Sequence, residues 1–145
     1  PGSSLHLHQS LIKKKNKKNV FFSKTSTISN IMKNYIGGLQ TYTPKLMPIH
    51  APNINSYRRL FATWDAPKNT YWGLGNRSCG FRIPSNEEHS MRIENRISGS
   101  DTNPYLVIAA NLAAGYLGMK NKMKLEPDHW DGMHSRVFTY TGIKE

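Results

Sequence analysis

Acidic residues are missing from the first 64 positions of this 145-residue chain, and all nine Asp and Glu lie from Asp65 onward. The same stretch carries Lys13, Lys14, Lys15, Lys17, Lys18, Lys24, Lys33, Lys45, Arg58 and Arg59, so the formal charge of +11 is an N-terminal property. Cysteine is nearly absent. The single Cys79 excludes a disulfide framework and any cysteine-rich zinc module, and it fits a reducing compartment, which makes a cytoplasmic location the expectation. Long apolar runs are lacking too. The longest charge-free one, 104–119, falls short of the roughly 18 residues that span a bilayer, and Asn111 and Gly115 interrupt it. It predicts a buried helix and no membrane. Nothing reads as a secretion signal, and no internal repeat is visible.

What is present suits a real core. The length allows one domain, and 37% hydrophobic residues place the chain outside the disordered and fibrous classes. Half of the cationic excess is the run Lys13-Lys14-Lys15-Asn16-Lys17-Lys18, set between apolar segments 5–12 and 20–22 in the position of a hairpin loop. Clustered lysines attract nucleic-acid phosphates without regard to sequence. This run contains no aromatic residue to stack bases, so a solvated loop is the favoured reading and a basic nucleic-acid-binding protein an alternative.

Residues 5–12 alternate as a strand does, with His6, His8 and Ser10 on one face. Ile28, Ile31, Met32, Tyr35, Ile36 and Leu39 recur at spacings of three and four, which predicts an amphipathic helix over 27–42, opened by Ser26 or Thr27 and weakened by Gly37 and Gly38. Residues 48–69 read as loops around a short element at 56–61. Segments 70–74 and 77–84, joined at Gly75-Asn76, read as a hairpin. Residues 91–97 alternate strictly, and Asn103-Pro104 opens the apolar helix with a capping residue and a first-turn proline.

Arg92-x-Glu94-x-Arg96 is the most informative local pattern, because a strand period of two puts all three ionic side chains on one face. It reads either as a self-satisfied surface ladder or as an anion site in which Glu94 holds a metal and the arginines fork onto phosphate or carboxylate. His6-x-His8 likewise presents two imidazoles together. Arg58, Arg59, Arg77 and Arg82 lie in or beside loops, and would make a cationic cleft for polyphosphate if they converged.

Four segments, in order and at consistent spacing, resemble the glutamine synthetase superfamily: GSSLHLHQSL, NINSYRRLFATWDAP, YWGLGNRSCGFRIP and RIENRISGSDTNPYLVIAANLAAG. The Gly-Ser-Asp within the last, in place of Pro-Asp-Pro, and SYRR rather than SYKR, look more like the γ-glutamylpolyamine synthetase branch. The resemblance implies an α+β fold, an antiparallel sheet with packed helices, in which residues 1–145 are the C-terminal part of the catalytic domain. The β-grasp domain and the first catalytic half, which supply most metal-binding glutamates in the family, would lie outside this chain.

The resemblance also implies an ATP-dependent ligase that phosphorylates the side-chain carboxylate of glutamate, with ammonia or a polyamine then displacing phosphate. Mg²⁺ or Mn²⁺ is the implied metal and a homo-oligomeric ring the implied assembly. Carried over by position, His6 and Glu94 would ligate the metal, with His6 also on the substrate side. His8, Ser10, Arg77, Arg82 and Arg92 would meet ATP. Gly2, Arg59, Arg77 and Arg96 would hold glutamate and the transferring phosphoryl group, and Arg77 and Asp65 would be catalytic. Asp65 stands where the family has a flap glutamate, one methylene longer, and this suits a larger amine than ammonia. Alone, the chain is expected to be inactive; a non-catalytic structural subunit is the other alternative.

Overall fold

The computed structural model describes residues 3–62 and 66–126; Asp65, Gly2 and the polar, aromatic tail from Pro127 lie outside them. Four short strands form one sheet in the order β1-β4-β3-β2: β1 is Leu7–Gln9, β2 Trp72–Leu74, β3 Phe81–Ile83 and β4 Ile93–Asn95. β1 and β4, and β4 and β3, pair antiparallel. Helix α1 (Asn30–Tyr42) is followed by a 3₁₀ turn at Thr43–Leu46, α2 (Met47–His50), α3 (Ile54–Ala62) and, after β4, α4 (Pro104–Lys120). The architecture is α+β, as expected.

The hairpin expected at 70–84 is corrected. β2 and β3 run parallel, Trp72 opposite Phe81, so the sheet is mixed. The Gly75-Asn76 signal does start a turn: Gly75 takes a φ of +64°, where a side chain would be strained, and Asn76 Oδ1 accepts from the Ser78 amide at 2.9 Å. The turn does not close a hairpin, however. Residues 75–80 carry the chain back to the start of β2, where the Phe81 amide donates to the Tyr71 carbonyl at 3.0 Å. Turn chemistry marks a reversal and leaves open whether the chain reverses again before it pairs.

The lysine run is the hairpin loop expected of it: Ile12 bridges Asn19, and the Lys13 amide donates to the Lys18 carbonyl at 2.9 Å. Helix α1 starts at Asn30 rather than 27, because Ser26 is held in a cluster around the Ser23 hydroxyl. Ser29 caps instead. Its Oγ accepts from the Met32 amide at 3.1 Å and donates to the Val20 carbonyl at 2.6 Å, tying the helix start to the end of the lysine hairpin.

Helices α1 and α4 lie against the apolar face of the sheet, and Met32, Tyr35, Ile36, Leu39, Phe81, Ile83, Ile93 and Ile97 are part of one buried cluster. Each such aliphatic side chain contributes about 1.5–3 kcal/mol. The two glycines that weaken α1 in isolation are close approaches here: a Cβ on Gly38 would sit against the Ala114 carbonyl oxygen and 2.7 Å from the Cα of Gly118. Polar bonds cross the same layer, since Tyr35 donates to Gln9 Oε1 at 2.5 Å and Asn95 Nδ2 to Asn111 Oδ1 at 2.7 Å. Burial raises the Tyr35 hydroxyl to about 12. Helix α4 is buried on one side only: Val107, Ala110, Ala114 and Gly118 face inward, whereas Tyr105, Leu112 and Tyr116 are exposed, correcting the expectation of a buried helix.

His50 links α2 to the segment after β4. Its Nδ1 lies 2.7 Å from Ser98 Oγ, both residues are buried, and its carbonyl accepts from the Gly99 amide at 3.0 Å. Burial lowers its pKa from 6.5 to about 4. The unfolded chain therefore takes up a proton on His50 near pH 6.5, while the fold resists doing so until about pH 4. Its contribution is complete above 6.5 and fades as pH falls toward 4, by an amount on the order of 3 kcal/mol. Denaturant midpoints of wild type and His50→Gln, compared at pH 7 and pH 4.5, should show the acid loss reduced in the variant; equal losses would discard this account.

Candidate functional site

Pairing across three strands assembles the charged face. The register places His8 of β1 opposite Glu94 of β4, and Glu94 opposite Arg82 of β3, so the three side chains share one side of the sheet. Alternation adds His6, Arg92 and Arg96 to that side, while Leu7, Ile93, Asn95 and Phe81 turn toward the helices. The apolar face needs the helices to cover it; the opposite face gathers the charge.

Glu94 is the centre of this face. The residue is only 3% exposed, yet its carboxylate meets four partners: Arg82 Nη1 donates to Oε2 at 2.9 Å, Arg96 Nη1 to Oε1 at 3.1 Å, and His6 Nδ1 and His8 Nε2 lie 3.1 and 3.9 Å from Oε1. Burial pushes its pKa up, but the Arg82 hydrogen bond and the charges of Arg96 and Arg82 outweigh that and hold it below the usual carboxylate range. It is ionised at neutral pH. For His6, burial and then the Arg96 charge lower the pKa against the opposing pull of Glu94. A neutral ring whose Nδ1 faces an ionised carboxylate keeps its proton there, which leaves the Nε2 lone pair as its ligand position.

The arginines around this pair are fixed by backbone carbonyls. Arg96, buried, donates from Nε to the Arg77 carbonyl at 3.1 Å. Arg92 donates from Nε to His8 Nδ1 and from Nη1 to the Ser90 carbonyl, at 3.1 and 2.8 Å. Arg82 also reaches the Gly75 carbonyl at 3.2 Å. Arg59 comes from α3 and is buried; its Nη1 donates to Ser4 Oγ at 2.9 Å and its Nη2 to the Ile97 carbonyl at 2.6 Å, and its charge is felt by His6. Among the described residues Arg82, Arg92 and Arg96 stand on this face around the carboxylate of Glu94, with Arg59, which also feels Asp101, beside them; the excess suits a polyanion.

The structure thus brings together His6, His8, Arg59, Arg82, Arg92, Glu94 and Arg96. Arg77 joins through its carbonyl, with its own residue exposed, and Ser10 lies exposed just beyond β1. Gly2 and Asp65 lie outside the described residues. The bland reading of Arg92-x-Glu94-x-Arg96 as a self-satisfied ladder is only partly met, because the partners of Glu94 come from three strands and the residue is buried. Sequence reasoning passed over Ser4, Ser98 and Asp101, which hold Arg59, His50 and the start of α3; short polar residues in loops carry no period that marks them.

The donors available to a divalent metal are the Nε2 of His6 and the Glu94 carboxylate. A hard dication takes about six mostly oxygen ligands, and among the described residues no group of three or more His, Cys, Asp or Glu is arranged to hold a metal ion. The pair fits part of a shell and not a whole one. Among the described residues no helix is long and apolar enough to cross a membrane.

Comparison with known proteins gives this arrangement a family. The family model "Glutamine synthetase, catalytic domain" matches residues 1–137. The chain is 40% identical over 128 residues to type-1 glutamine synthetase 2 of Dictyostelium discoideum, covering 87% of this chain and 24% of that protein. It is 35% identical over 127 residues to gamma-glutamylputrescine synthetase of Escherichia coli (strain K12), covering 88% and 27%. With glutamate–isopropylamine ligase of Pseudomonas sp the identity is 39% over 125 residues, covering 85% and 27%. The chain therefore spans about a quarter of the length of the curated relatives it matches. A match over nearly the whole chain, falling on the residues that converge around Glu94, establishes that this chain belongs to the glutamine synthetase catalytic-domain family.

Proposed function

We propose that this chain supplies the phosphate- and glutamate-binding part of an ATP-dependent glutamate–amine ligase. The observation that carries the reading is the buried, ionised Glu94 set among His6, His8, Arg82, Arg92 and Arg96 on the side of the sheet opposite its apolar face. In the reaction, an oxygen of the glutamate side-chain carboxylate attacks the γ-phosphorus of ATP and ADP leaves. The amine nitrogen then adds to the acyl carbon, phosphate departs, and the nitrogen gives up a proton.

Within that reaction Arg82 and Arg92, with His8 and Ser10, meet the nucleotide phosphates. Arg59, Arg77 and Arg96 pair with glutamate and with charge that develops on the transferring phosphoryl group, helped by the Gly2 backbone. Such positioned cations act most strongly where water is excluded, and Arg59 and Arg96 are both buried. His6 Nε2 and Glu94 would be this chain's ligands to Mg²⁺ or Mn²⁺, which neutralises phosphate charge when bound. The remaining ligands must come from outside the described residues, from the tail or from the rest of the ligase, and the chain alone is expected not to turn over. Asp65, which matches the family's flap glutamate by sequence position, would take the proton from the amine; one methylene shorter than that glutamate, it favours an amine larger than ammonia. The resemblances to an ammonia, a putrescine and an isopropylamine enzyme leave the acceptor within that class.

A protein joining this chain to the first catalytic half of a family member should release phosphate only when ATP, glutamate and an amine are all present. Putrescine and ammonia are the amines to compare. Release that ignores the amine, or no release with either, would defeat the proposal.

A further inference from the structure

Asp101 lies in the segment between β4 and α4, on the Gly-Ser-Asp that replaces Pro-Asp-Pro, and no role attaches to it in the reading above. One of its oxygens, Oδ2, accepts from Ser56 Oγ at 2.6 Å and from Asn53 Nδ2 at 2.7 Å. Those two residues are the N-terminal lock of α3. Asn53 Oδ1 accepts from the Ser56 amide at 3.1 Å and Ser56 Oγ from the Asn53 amide at 3.3 Å, a reciprocal cap with serine in the place where glutamate or glutamine is more usual. The carboxylate also brings negative charge to the positive end of the helix.

Arg59 stands three residues after Ser56, on the same side of α3. Its guanidinium reaches back to the same segment, donating to the Ile97 carbonyl at 2.6 Å. Helix α3 is thus held to the stretch after β4 at two points one turn apart, by Asp101 at the cap and by Arg59 below it. Without the first, the opening turn of α3 loses its tie to this segment while Leu60 stays in the core, and Arg59 loses one constraint on its direction. Its Nε is buried and has no hydrogen-bond partner among the described residues, which leaves it as a donor for a ligand.

We infer that Asp101 is a positioning residue for Arg59, clamping the start of α3 so that the guanidinium meets the substrate carboxylate in one orientation. The inference rests on the reading of Arg59 as a glutamate-binding arginine. Asp101 acts through the cap, and its charge also bears on Arg59.

The test is a double-mutant cycle on the 145-residue chain, with affinity for L-glutamate read by NMR from the Arg59 Nε–H signal and neighbouring amides, and affinity for ATP read from the amides of β1 and β4. Asp101→Ala is expected to weaken glutamate about tenfold with ATP binding unchanged, and Asp101→Asn, which can still accept both hydrogen bonds on its oxygen, about threefold. In an Arg59→Ala background, where the neighbouring amides report, Asp101→Ala should change glutamate affinity no further. A purely structural role would weaken both ligands together, and an equal effect in the Arg59→Ala background would show action by another route; either overturns the inference. If Asp101→Ala fails to fold, the asparagine variant carries the same comparison. Glutamate binding that Arg59→Ala leaves unaltered, or none by wild type, removes the reading of Arg59 itself and the inference with it.

Discussion

Glu94→Ala is expected to cost about 3–5 kcal/mol of folding stability. The carboxylate is 3% exposed and is the shared partner of Arg82 and Arg96, with His6 beside it, so truncation leaves two guanidinium groups facing each other with no counter-charge. Breaking a buried charge cluster from one side is costly because the remaining ions cannot be rehydrated in place. Glu94→Gln should fall between, since an amide oxygen still accepts one arginine hydrogen bond while its NH₂ faces the other cation. Denaturant unfolding at pH 7 measures both. A loss below about 1 kcal/mol for the alanine variant would mean that water reaches the cluster and that the surface-ladder reading is the better one. Under the proposed function the same variant should also abolish ATP-dependent turnover in a catalytically complete protein, because Glu94 is one of the two metal donors assigned among the described residues.

Gly118→Val should separate α1 from α4. A Cβ at this position would lie against the Asn34 carbonyl oxygen and 2.7 Å from the Cα of Gly38, and both obstacles are backbone. No rotamer change relieves such a clash; one helix must shift, and the cluster beneath it with the helix. A penalty of about 3 kcal/mol or more is expected. Ala113→Val, on the exposed side of the same helix, should stay within about 1 kcal/mol and so separates the clash from the β-branched residue's lower helix propensity. Thermal unfolding of the pair checks this. Equal effects would show that Gly118 matters for helix propensity and not for contact.

The alternation at 91–97 is readable without coordinates because a strand's side chains must point to opposite faces in turn, and it correctly groups Arg92, Glu94 and Arg96. The Asn103-Pro104 opening of α4 is readable for a similar reason: capping is local, and Asn103 Oδ1 does accept from the Tyr105 amide at 3.0 Å. Where local signals mislead, a distant partner decides. Ser26 and Thr27 look like caps as well as Ser29 does, and only Ser29 also reaches the Val20 carbonyl. Gly37 and Gly38 lower helix propensity, yet Gly38 is needed because Gly118, 80 positions away, crosses it. Gly75-Asn76 signals a turn of either topology.

By itself, then, the sequence determined which residues share a strand face, where the capped helix begins, that the cationic excess is N-terminal and, through its motif order, the family. Those properties depend on neighbours within a few positions or on the linear order of residues. The tertiary structure alone decided that His8, Glu94 and Arg82 stand side by side, that β2 and β3 run parallel, and that Arg59 is clamped from the segment after β4. Strand pairing and helix crossing join residues dozens of positions apart through burial and hydrogen bonding, and a periodicity of two or 3.6 carries no information about which distant segment becomes the neighbour. The missing acids of residues 1–64 acquire their meaning there: His6 lies 3.1 Å from Glu94 and Arg59 feels the charge of Asp101, both carboxylates supplied from beyond that stretch.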